Sequence, residues 1–291
     1  WVEANKERLA CDVILVSDTT MLSDKVPSIN CGMRGVTYLQ VNVKGPDKDL
    51  HSGHYGGAVA NPINTLCDMI SSLIDKDGRV TIPGFYDDVE ELSAEDRTSL
   101  ARAPFDMEEY KESIGIKEVK GEKGYTTLER TAIRPCLDVC GIWGGYTGVG
   151  SKTVLPSEAH AKISMRIVPN QKADKIIDLA AKHILAIAPP YVEVSVEKME
   201  AGNGFLIPIT SPAYKAASRA MTEVYGIEPV PSRGGGSICV LADMRNILGA
   251  DPLLMGFGLE RDTIHSPNES YLLRQFYAGI ESITLFYEYW K

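Results

Sequence analysis

The sequence lacks cysteine metal-binding motifs, membrane-spanning apolar runs and basic clusters. None of its six cysteines forms a CxxC pair or a zinc-finger spacing, so we expect reduced, buried thiols in a cytoplasmic protein. No apolar run approaches the roughly 20 residues that span a bilayer, and no signal-peptide pattern is present. Lysine and arginine form no cluster, and the net charge of −9 argues against binding to nucleic-acid phosphates. We therefore expect neither nucleic acid nor a membrane as a partner.

Histidine is also scarce, and this bears on the chemistry available. There are only five histidines, and all lie at position 51 or later. The first residue is Trp1 rather than methionine, so we expect that further residues precede it in the natural protein. The 291 residues, 44% hydrophobic and 24% charged, are typical of one large or two modest globular domains.

The middle of the chain alternates between strand and helix patterns. Apolar residues recur with period two or with helical spacing, which predicts strands at 35–44, 137–143, 158–168 and 191–197 and helices at 58–74 and 172–187. The order β-α-β-β-α-β is that of a ferredoxin-like domain, which we place at residues 35–203. An acid-rich stretch, 87–124, is predicted to form short helices in an excursion on the surface of this domain.

The two flanks, residues 1–34 and 204–291, are predicted to form one further α/β domain. Their patterns indicate strands at 11–16 and 252–257 and helices at 211–225 and 237–248. Ser266 and Glu269 have the spacing of a capping box, which predicts that a last helix opens there and runs to Tyr289. The flanks contain fewer predicted strands than an α/β sheet needs, so we expect this α/β domain to be incomplete.

Asp18 and His265 are the first candidate site residues. Each follows an apolar strand, and open α/β sheets place their chemistry outside the carboxyl ends of strands. Together they suggest half of a metal site. The alternative for Asp18 is a cap or turn residue, and the alternative for His265 is an ordinary exposed loop histidine.

Glycine-rich loops supply further candidates. His51 and His54 lie among small residues, which allow close approach to a ligand, although a plain loop with incidental histidines fits equally well. The segment 145–153, GYTGVGSKT, is similar to a phosphate-binding loop, but Ser151 disrupts the register and a strand follows. We therefore predict no nucleotide site there.

Two segments could bind a carboxylate. Arg166 falls on the polar face of its strand and can present a bidentate fork, unless that face is merely solvated. The segment 233–237, RGGGS, precedes a predicted helix whose free N–H groups could hold an anion. A helix start with small residues for close packing is the alternative.

Eight segments, in order along the chain, point to one family. They are 16–18 (VSD), 32–35 (GMRG), 48–53 (KDLHSG), 75–78 with 82–84 (DKDG, IPG), 148–156 (GVGSKTVLP), 165–170 (MRIVPN), 235–238 (GGSI) and 264–269 (IHSPNE). Taken together, they resemble the M20 family of metallopeptidases, and specifically its carnosinase-like, cytosolic nonspecific dipeptidase branch. The resemblance implies an α/β zinc-peptidase catalytic domain, incomplete here, with an inserted ferredoxin-like lid and dimerisation domain.

The resemblance also implies a di-metal site and a homodimer. Asp18 would bind one metal ion and His265 the other, with zinc expected and manganese or cobalt possible. His51 would reach the active site of the partner subunit and stabilise the oxyanion of the tetrahedral intermediate. Thr153 would be contributed across the dimer in the same way.

Three residues would bind the substrate, a dipeptide or short peptide. Arg166 would bind its C-terminal carboxylate, and Ser237 and Gly236 would line the same pocket.

The sequence departs from the family pattern in one respect. Family members carry an upstream H-x-D segment, a metal-bridging aspartate and a Glu-Glu pair that supplies the general base, and no match to these precedes Asp18. The chain thus resembles the last two-thirds of such an enzyme, and we expect it to be inactive alone because zinc sites use three or four protein ligands. Alternatives are a deacylase of N-acylated amino acids and a non-catalytic dimerisation module.

Overall fold

The computed structural model describes residues 1–290 except 95, 96, 99, 100 and 102. Its strands are β1 Val13–Val16, β2 Ser28–Met33, β3 Gly35–Lys44, β4 Leu50–His51, β5 Cys136–Gly144, β6 Val154–Leu155, β7 Glu158–Ile167, β8 Glu193–Gly202, β9 Phe205–Leu206, β10 Val230–Gly234 and β11 Asp251–Leu254. Its α-helices are α1 Ser52–Tyr55, α2 Pro62–Ser72, α3 Met107–Ile114, α4 Thr127–Ala132, α5 Ala173–Ala186, α6 Pro212–Tyr225, α7 Cys239–Leu248 and α8 Leu273–Tyr289. Within these residues, no helix combines the length and apolarity needed to cross a bilayer.

The antiparallel sheet has the strand order β5-β7-β3-β8. This is the order of a ferredoxin-like β-α-β-β-α-β unit, and every neighbouring pair is antiparallel. Alternate residues of β3 point into one core: Leu39, Val41 and Val43 are buried, and helices α2 and α5 contribute to the same core. The period-two pattern of the sequence therefore marks the buried face of this sheet correctly.

The mixed sheet has the order β1-β11-β2-β10, with β9 paired to β2. Strand β1 runs parallel to β11, and β2 runs parallel to β10. The α/β class predicted from the sequence is confirmed. Strands β2 and β10 were not predicted, because every residue of β2 is buried and shows no alternation, while β10 contains Pro231 and ends at Gly234.

The predicted start of the last helix is wrong. Helix α8 begins at Leu273, and its N-cap, Leu272, makes no side-chain capping bond. Ser266 and Glu269 instead lie in a loop, which is closed by hydrogen bonds from Thr263 Oγ1 to the Asn268 carbonyl (3.1 Å) and from the Ser270 amide to the Asp262 carbonyl (2.9 Å). A serine followed three residues later by glutamate also occurs in turns, so this spacing alone did not identify a helix.

The acid-rich excursion is not only a surface feature. It contains α3, and near its end Glu122 is buried against Arg134 and Arg79. Residues 95, 96, 99, 100 and 102 of this stretch lie outside the described residues.

The expectation of buried cysteines holds for one residue only. All six cysteines are free thiols, but Cys11, Cys67 and Cys140 are exposed and two others are half-buried. Cys31 lies within the fully buried strand β2, and burial raises its pKa to about 12.

Candidate active site

Asp18 and His265 follow neighbouring parallel strands of the mixed sheet. The pairing of β1 with β11 continues beyond the strands, through the Met255 amide to the Val16 carbonyl (2.9 Å) and through a bridge between Thr20 and Gly258. A Cβ placed on Gly258 would lie 3.6 Å from Ile264 Cδ1 and 3.7 Å from the Thr19 carbonyl oxygen. The residues next to Asp18 and next to His265 therefore pack on the same glycine, at the carboxyl ends of two adjacent strands.

The backbone around His265 adopts conformations that non-glycine residues rarely take. Thr263, His265 and Asn268 have φ values of 52°, 62° and 63°. This region is unfavourable above all for a β-branched residue such as Thr263, and such strain concentrates at functional sites. The loop leaves the imidazole of His265 exposed.

The donor chemistry of this pair fits a metal. Both side chains are exposed, and among the described residues neither is engaged in an ion pair. A free carboxylate and a free imidazole are typical zinc ligands. Within the same described residues, no group of three or more His, Cys, Asp or Glu side chains is placed to hold a metal ion.

His51 and Thr153 are brought together by the short ladder of β4 and β6. His51 pairs with Val154, and the Ser52 amide donates to the Thr153 carbonyl at 3.0 Å. Asp49 anchors the same loop, since its carboxylate accepts from both the amide (2.9 Å) and the hydroxyl (3.0 Å) of Ser157. Two segments about a hundred residues apart in sequence thus form one exposed edge.

The His51 ring is oriented by its own loop. The Gly53 amide donates to His51 Nδ1 at 3.0 Å, so this nitrogen is the acceptor and the neutral ring carries its proton on Nε2. The ring of His54 stacks on it, with centroids 4.4 Å apart. The outward nitrogen of His51 is therefore a hydrogen-bond donor.

Arg166 lies on the central strand β7 and points to the loop that follows β10. Its Nη1 donates to Ser237 Oγ at 2.7 Å, and that hydroxyl donates to the Arg34 carbonyl at 2.6 Å. Gly236, the neighbour of Ser237, is exposed. Among the described residues Arg166 has no carboxylate partner, so the rest of its fork is free to bind an anion.

Arg34 is a residue of this site that sequence reasoning missed. It joins β2 to β3 and is buried, with 8% of its surface exposed. Burial lowers the pKa of its guanidinium, and in the described part of the chain it forms no ion pair with a carboxylate. The segment GMRG contributed to the family resemblance, but no pattern indicated that its arginine would be buried beside Arg166.

The candidate residues form separate groups in this chain. No hydrogen bond or ring contact within the described residues joins Asp18 or His265 to the His51 edge. A cavity of about 720 Å³ lies elsewhere, on α6, and is lined by residues such as Lys215 and Arg219 rather than by any candidate.

The chain is similar to proteins of one family. Residues 32–192 match the peptidase dimerisation domain of the M20 family. The chain is 33% identical to Cys-Gly metallodipeptidase dug1 of Schizosaccharomyces pombe, over 96% of this chain and 59% of that protein. It is 29% identical to Beta-Ala-His dipeptidase of Homo sapiens, over 98% of this chain and 57% of that protein.

A solved structure agrees with these relatives. The M20 family metallo-carboxypeptidase Sso-CP2 from Sulfolobus solfataricus superposes with a TM-score of 0.88 at 31% identity, over 99% of this chain and 66% of that one. The chain spans about three-fifths of the length of the curated relatives named above. On the strength of the family match and these relatives, the chain belongs to the M20 peptidase family.

Proposed function

We propose that the chain forms part of a metal-dependent dipeptidase that hydrolyses dipeptides or short peptides. The observation that carries this proposal is the parallel pairing of β1 with β11, which directs Asp18 and the His265 loop to one edge of the mixed sheet. The names of the relatives, a Cys-Gly metallodipeptidase and a Beta-Ala-His dipeptidase, support the substrate class.

The metal site would use Asp18 for one ion and His265 for the other. When bound, zinc would supply an activated water and polarise the scissile carbonyl, and manganese or cobalt would offer similar chemistry. We propose that the two side chains are insufficient to fix two ions, since zinc sites use three or four protein ligands. The 291-residue chain alone would then not hydrolyse dipeptides.

The His51 edge would act across a homodimer. The Nε2 proton of His51 is available for donation, because Nδ1 is occupied by the Gly53 amide, and a fixed donor of this kind stabilises an oxyanion. Thr153 lies beside it on the same edge. The match of residues 32–192 to a dimerisation domain supports a second copy of this chain as the partner.

The carboxylate end of the substrate would bind Arg166, with Ser237 and Gly236 lining the pocket. Ser237 fixes one side of the Arg166 fork, which leaves the remaining donors for a carboxylate. Two guanidinium groups without a carboxylate partner among the described residues, those of Arg34 and Arg166, favour an anion here.

We further propose that residues 35–203 form the lid and that residues 1–34 and 204–291 contribute to the catalytic domain. The chain crosses between the two sheets at Gly35 and Gly204, whose backbones lie in contact: a Cβ on Gly35 would meet the Gly204 amide at 2.6 Å. The free thiols support a reducing, cytoplasmic location for the whole protein.

The test is a substrate panel on the full-length protein, with unmodified dipeptides and N-acylated amino acids compared. We expect dipeptide hydrolysis that a chelator abolishes and zinc restores. The His51→Ala variant should lose kcat by about 10²- to 10³-fold, as for loss of an oxyanion donor, with KM little changed. His183→Ala, a histidine on α5, is the matched control.

Three outcomes would contradict parts of this proposal. Hydrolysis that survives chelation would exclude the metal mechanism, and a preference for N-acylated amino acids would replace the dipeptidase assignment. Zinc-dependent hydrolysis by the purified 291-residue chain would show that its own ligands suffice.

A further inference from the structure

Arg34 is a buried cation whose partners are almost all backbone carbonyls. Its Nε donates to the Gly235 carbonyl at 3.0 Å, and its Nη1 lies 3.1 Å from the Arg134 carbonyl and 3.3 Å from the Arg130 carbonyl. Among the described residues, its one side-chain partner is the thiol of Cys136, at 3.6 Å. A buried charge is costly unless it is paired and hydrogen-bonded, and here three carbonyl groups accept hydrogen bonds from Nε and Nη1.

These carbonyls belong to two separate segments. The Arg130 carbonyl lies in the last turn of α4, where helix carbonyls lack intrahelical partners and favour a cation, and the Arg134 carbonyl lies two residues beyond the end of that helix. The carbonyl of Gly235 belongs to the loop after β10. A Cβ on Gly235 would lie 2.5 Å from the Thr131 carbonyl oxygen, so this loop is packed tightly between α4 and Arg34.

The same residue also holds Ser237 through its backbone. The Ser237 hydroxyl donates to the Arg34 carbonyl at 2.6 Å and accepts from Arg166 Nη1 at 2.7 Å. Arg34 therefore fixes the loop at two points, its side chain at Gly235 and its carbonyl at Ser237. Because the hydroxyl proton is committed to Arg34, the oxygen presents its lone pair to Arg166.

We propose that Arg34 is a positioning residue for the substrate carboxylate pocket: it fixes the 235–237 loop so that Ser237 orients the fork of Arg166. This inference rests on the proposed role of Arg166. It differs from a purely structural role for Arg34, because it requires Arg34 and Ser237 to act on carboxylate binding through one connection.

The experiment titrates the ¹⁵N-arginine-labelled 291-residue chain with the dipeptide Ala-Gly and with its C-terminal amide. The Arg166 Nε–H signal, assigned by its loss in Arg166→Lys, reports binding. We expect the free acid to shift this signal in the wild type and the amide to leave it unchanged. Arg34→Lys keeps the charge but loses the planar fork, and it should weaken binding of the acid by roughly 5- to 100-fold, the range for losing a hydrogen bond to buried groups.

Arg79→Lys is the matched control, since Arg79 bonds the buried Glu122 at 2.9 Å and, among the described residues, makes no hydrogen bond to Arg34 or to the 235–237 loop. It should lower the unfolding temperature and leave the affinity for Ala-Gly unchanged. Ser237→Ala should weaken acid binding as Arg34→Lys does, and the double variant should be little worse than either single variant, since residues that act through one connection are not additive.

The outcomes separate this inference from the proposed function. If the wild type does not distinguish acid from amide, the role of Arg166 fails. If the wild type does distinguish them but Arg34→Lys binds the acid normally, or the two substitutions are additive, the positioning role of Arg34 is wrong. Should Arg34→Lys fail to fold, Ser237→Ala decides, because wild-type affinity in that variant would also overturn the inference.

Discussion

The antiparallel sheet is made of long strands with a regular pattern, whereas the mixed sheet joins short strands from opposite ends of the chain. Strands β3, β7 and β8 have ten residues each, but β1 and β11 have four each. The contact of Ser17 with Met255 spans 238 positions of sequence. The long strands β3, β7 and β8 pair along most of their length, whereas the metal candidates follow short strands that are remote in sequence.

The helices that pack in the two regions also differ, in the kind of side chain that they bury. Helix α5 buries Ile176, Ala180 and Ile184 in the core formed with the antiparallel sheet. Helix α8 instead buries Gln275, Gly279, Ser282 and Phe286 and exposes several large apolar side chains, those of Leu273, Phe276, Tyr277 and Ile280. Apolar character alone therefore identifies the buried face of α5 but not that of α8.

The largest predicted effect tests whether the acid-rich stretch 87–124 contributes to the stability of the fold. Arg134 and Glu122 are both buried and make two bonds of 2.8 Å. Burial opposes the charge of Arg134, but the hydrogen bond to Glu122 and the charges of Glu122 and Glu91 together outweigh it, so the pKa of Arg134 is raised. Glu122→Gln would leave the buried Arg134 paired, among the described residues, only with the largely exposed Glu91. It should therefore lower the free energy of unfolding by up to about 3–5 kcal/mol, measured by urea denaturation.

Glu108→Gln is the matched control for Glu122→Gln. Glu108 is 76% exposed and pairs with Lys111 at 2.7 Å, and exposed pairs contribute only about 0–1 kcal/mol. Equal losses of stability in the two variants would show that the buried Glu122–Arg134 pair stabilises the fold no more than the exposed Glu108–Lys111 pair does.

The second prediction concerns the point where the two sheets join. A Cβ on Gly35 would lie 2.4 Å from the Gly202 carbonyl oxygen, so Gly35→Ala must push two backbones apart. Overpacking of this kind costs about 1–3 kcal/mol, again measured by urea denaturation. Gly141→Ala, also in the antiparallel sheet but with no atom within 4 Å of the new Cβ, should be tolerated. If both variants were equally stable, the backbone at Gly35 would have more room for a side chain than the structure indicates.

The difference between the sheets also explains what the sequence could predict. Strand β3 was predicted with its observed bounds, because one face is buried and the other is not. Strand β2 is buried on both faces and β10 carries proline and glycine, so neither shows a period of two. Periodicity reports one-sided burial, and it cannot detect a strand covered on both sides.

The candidate site was predictable only in part for a related reason. Loop composition and strand ends drew attention to His51, Asp18 and His265, but the link from Arg34 through Ser237 to Arg166 joins positions about 70 and 200 apart. No local pattern encodes such a connection. A buried arginine between two strands is visible only once the strands are placed.

The smallest predicted effect compares the antiparallel sheet with the two-residue ladder of β4 and β6, beside which Ser157 hydrogen-bonds to Asp49. The amide and hydroxyl of Ser157 hold the pKa of Asp49 below its ordinary value of 3.8. Since the folded-state pKa is depressed, the anchoring is fully present above pH 3.8 and is lost as the pH falls through the lower, folded-state pKa. Lowering the pH through this depressed pKa, below 3.8, should therefore release the loop that contains Asp49 before the antiparallel sheet unfolds.

The measurement is the amide-exchange protection factor of Ser157 as a function of pH. Wild-type protection should fall in the acid range while that of β3 stays high. The Asp49→Asn variant should show weaker, pH-independent protection, because its amide oxygen still accepts a bond but cannot be protonated there. Asp47→Asn, in the same loop, should behave as the wild type. A Ser157 protection that is unchanged down to the pH of global unfolding would mean that packing, not the carboxylate, holds the His51 edge.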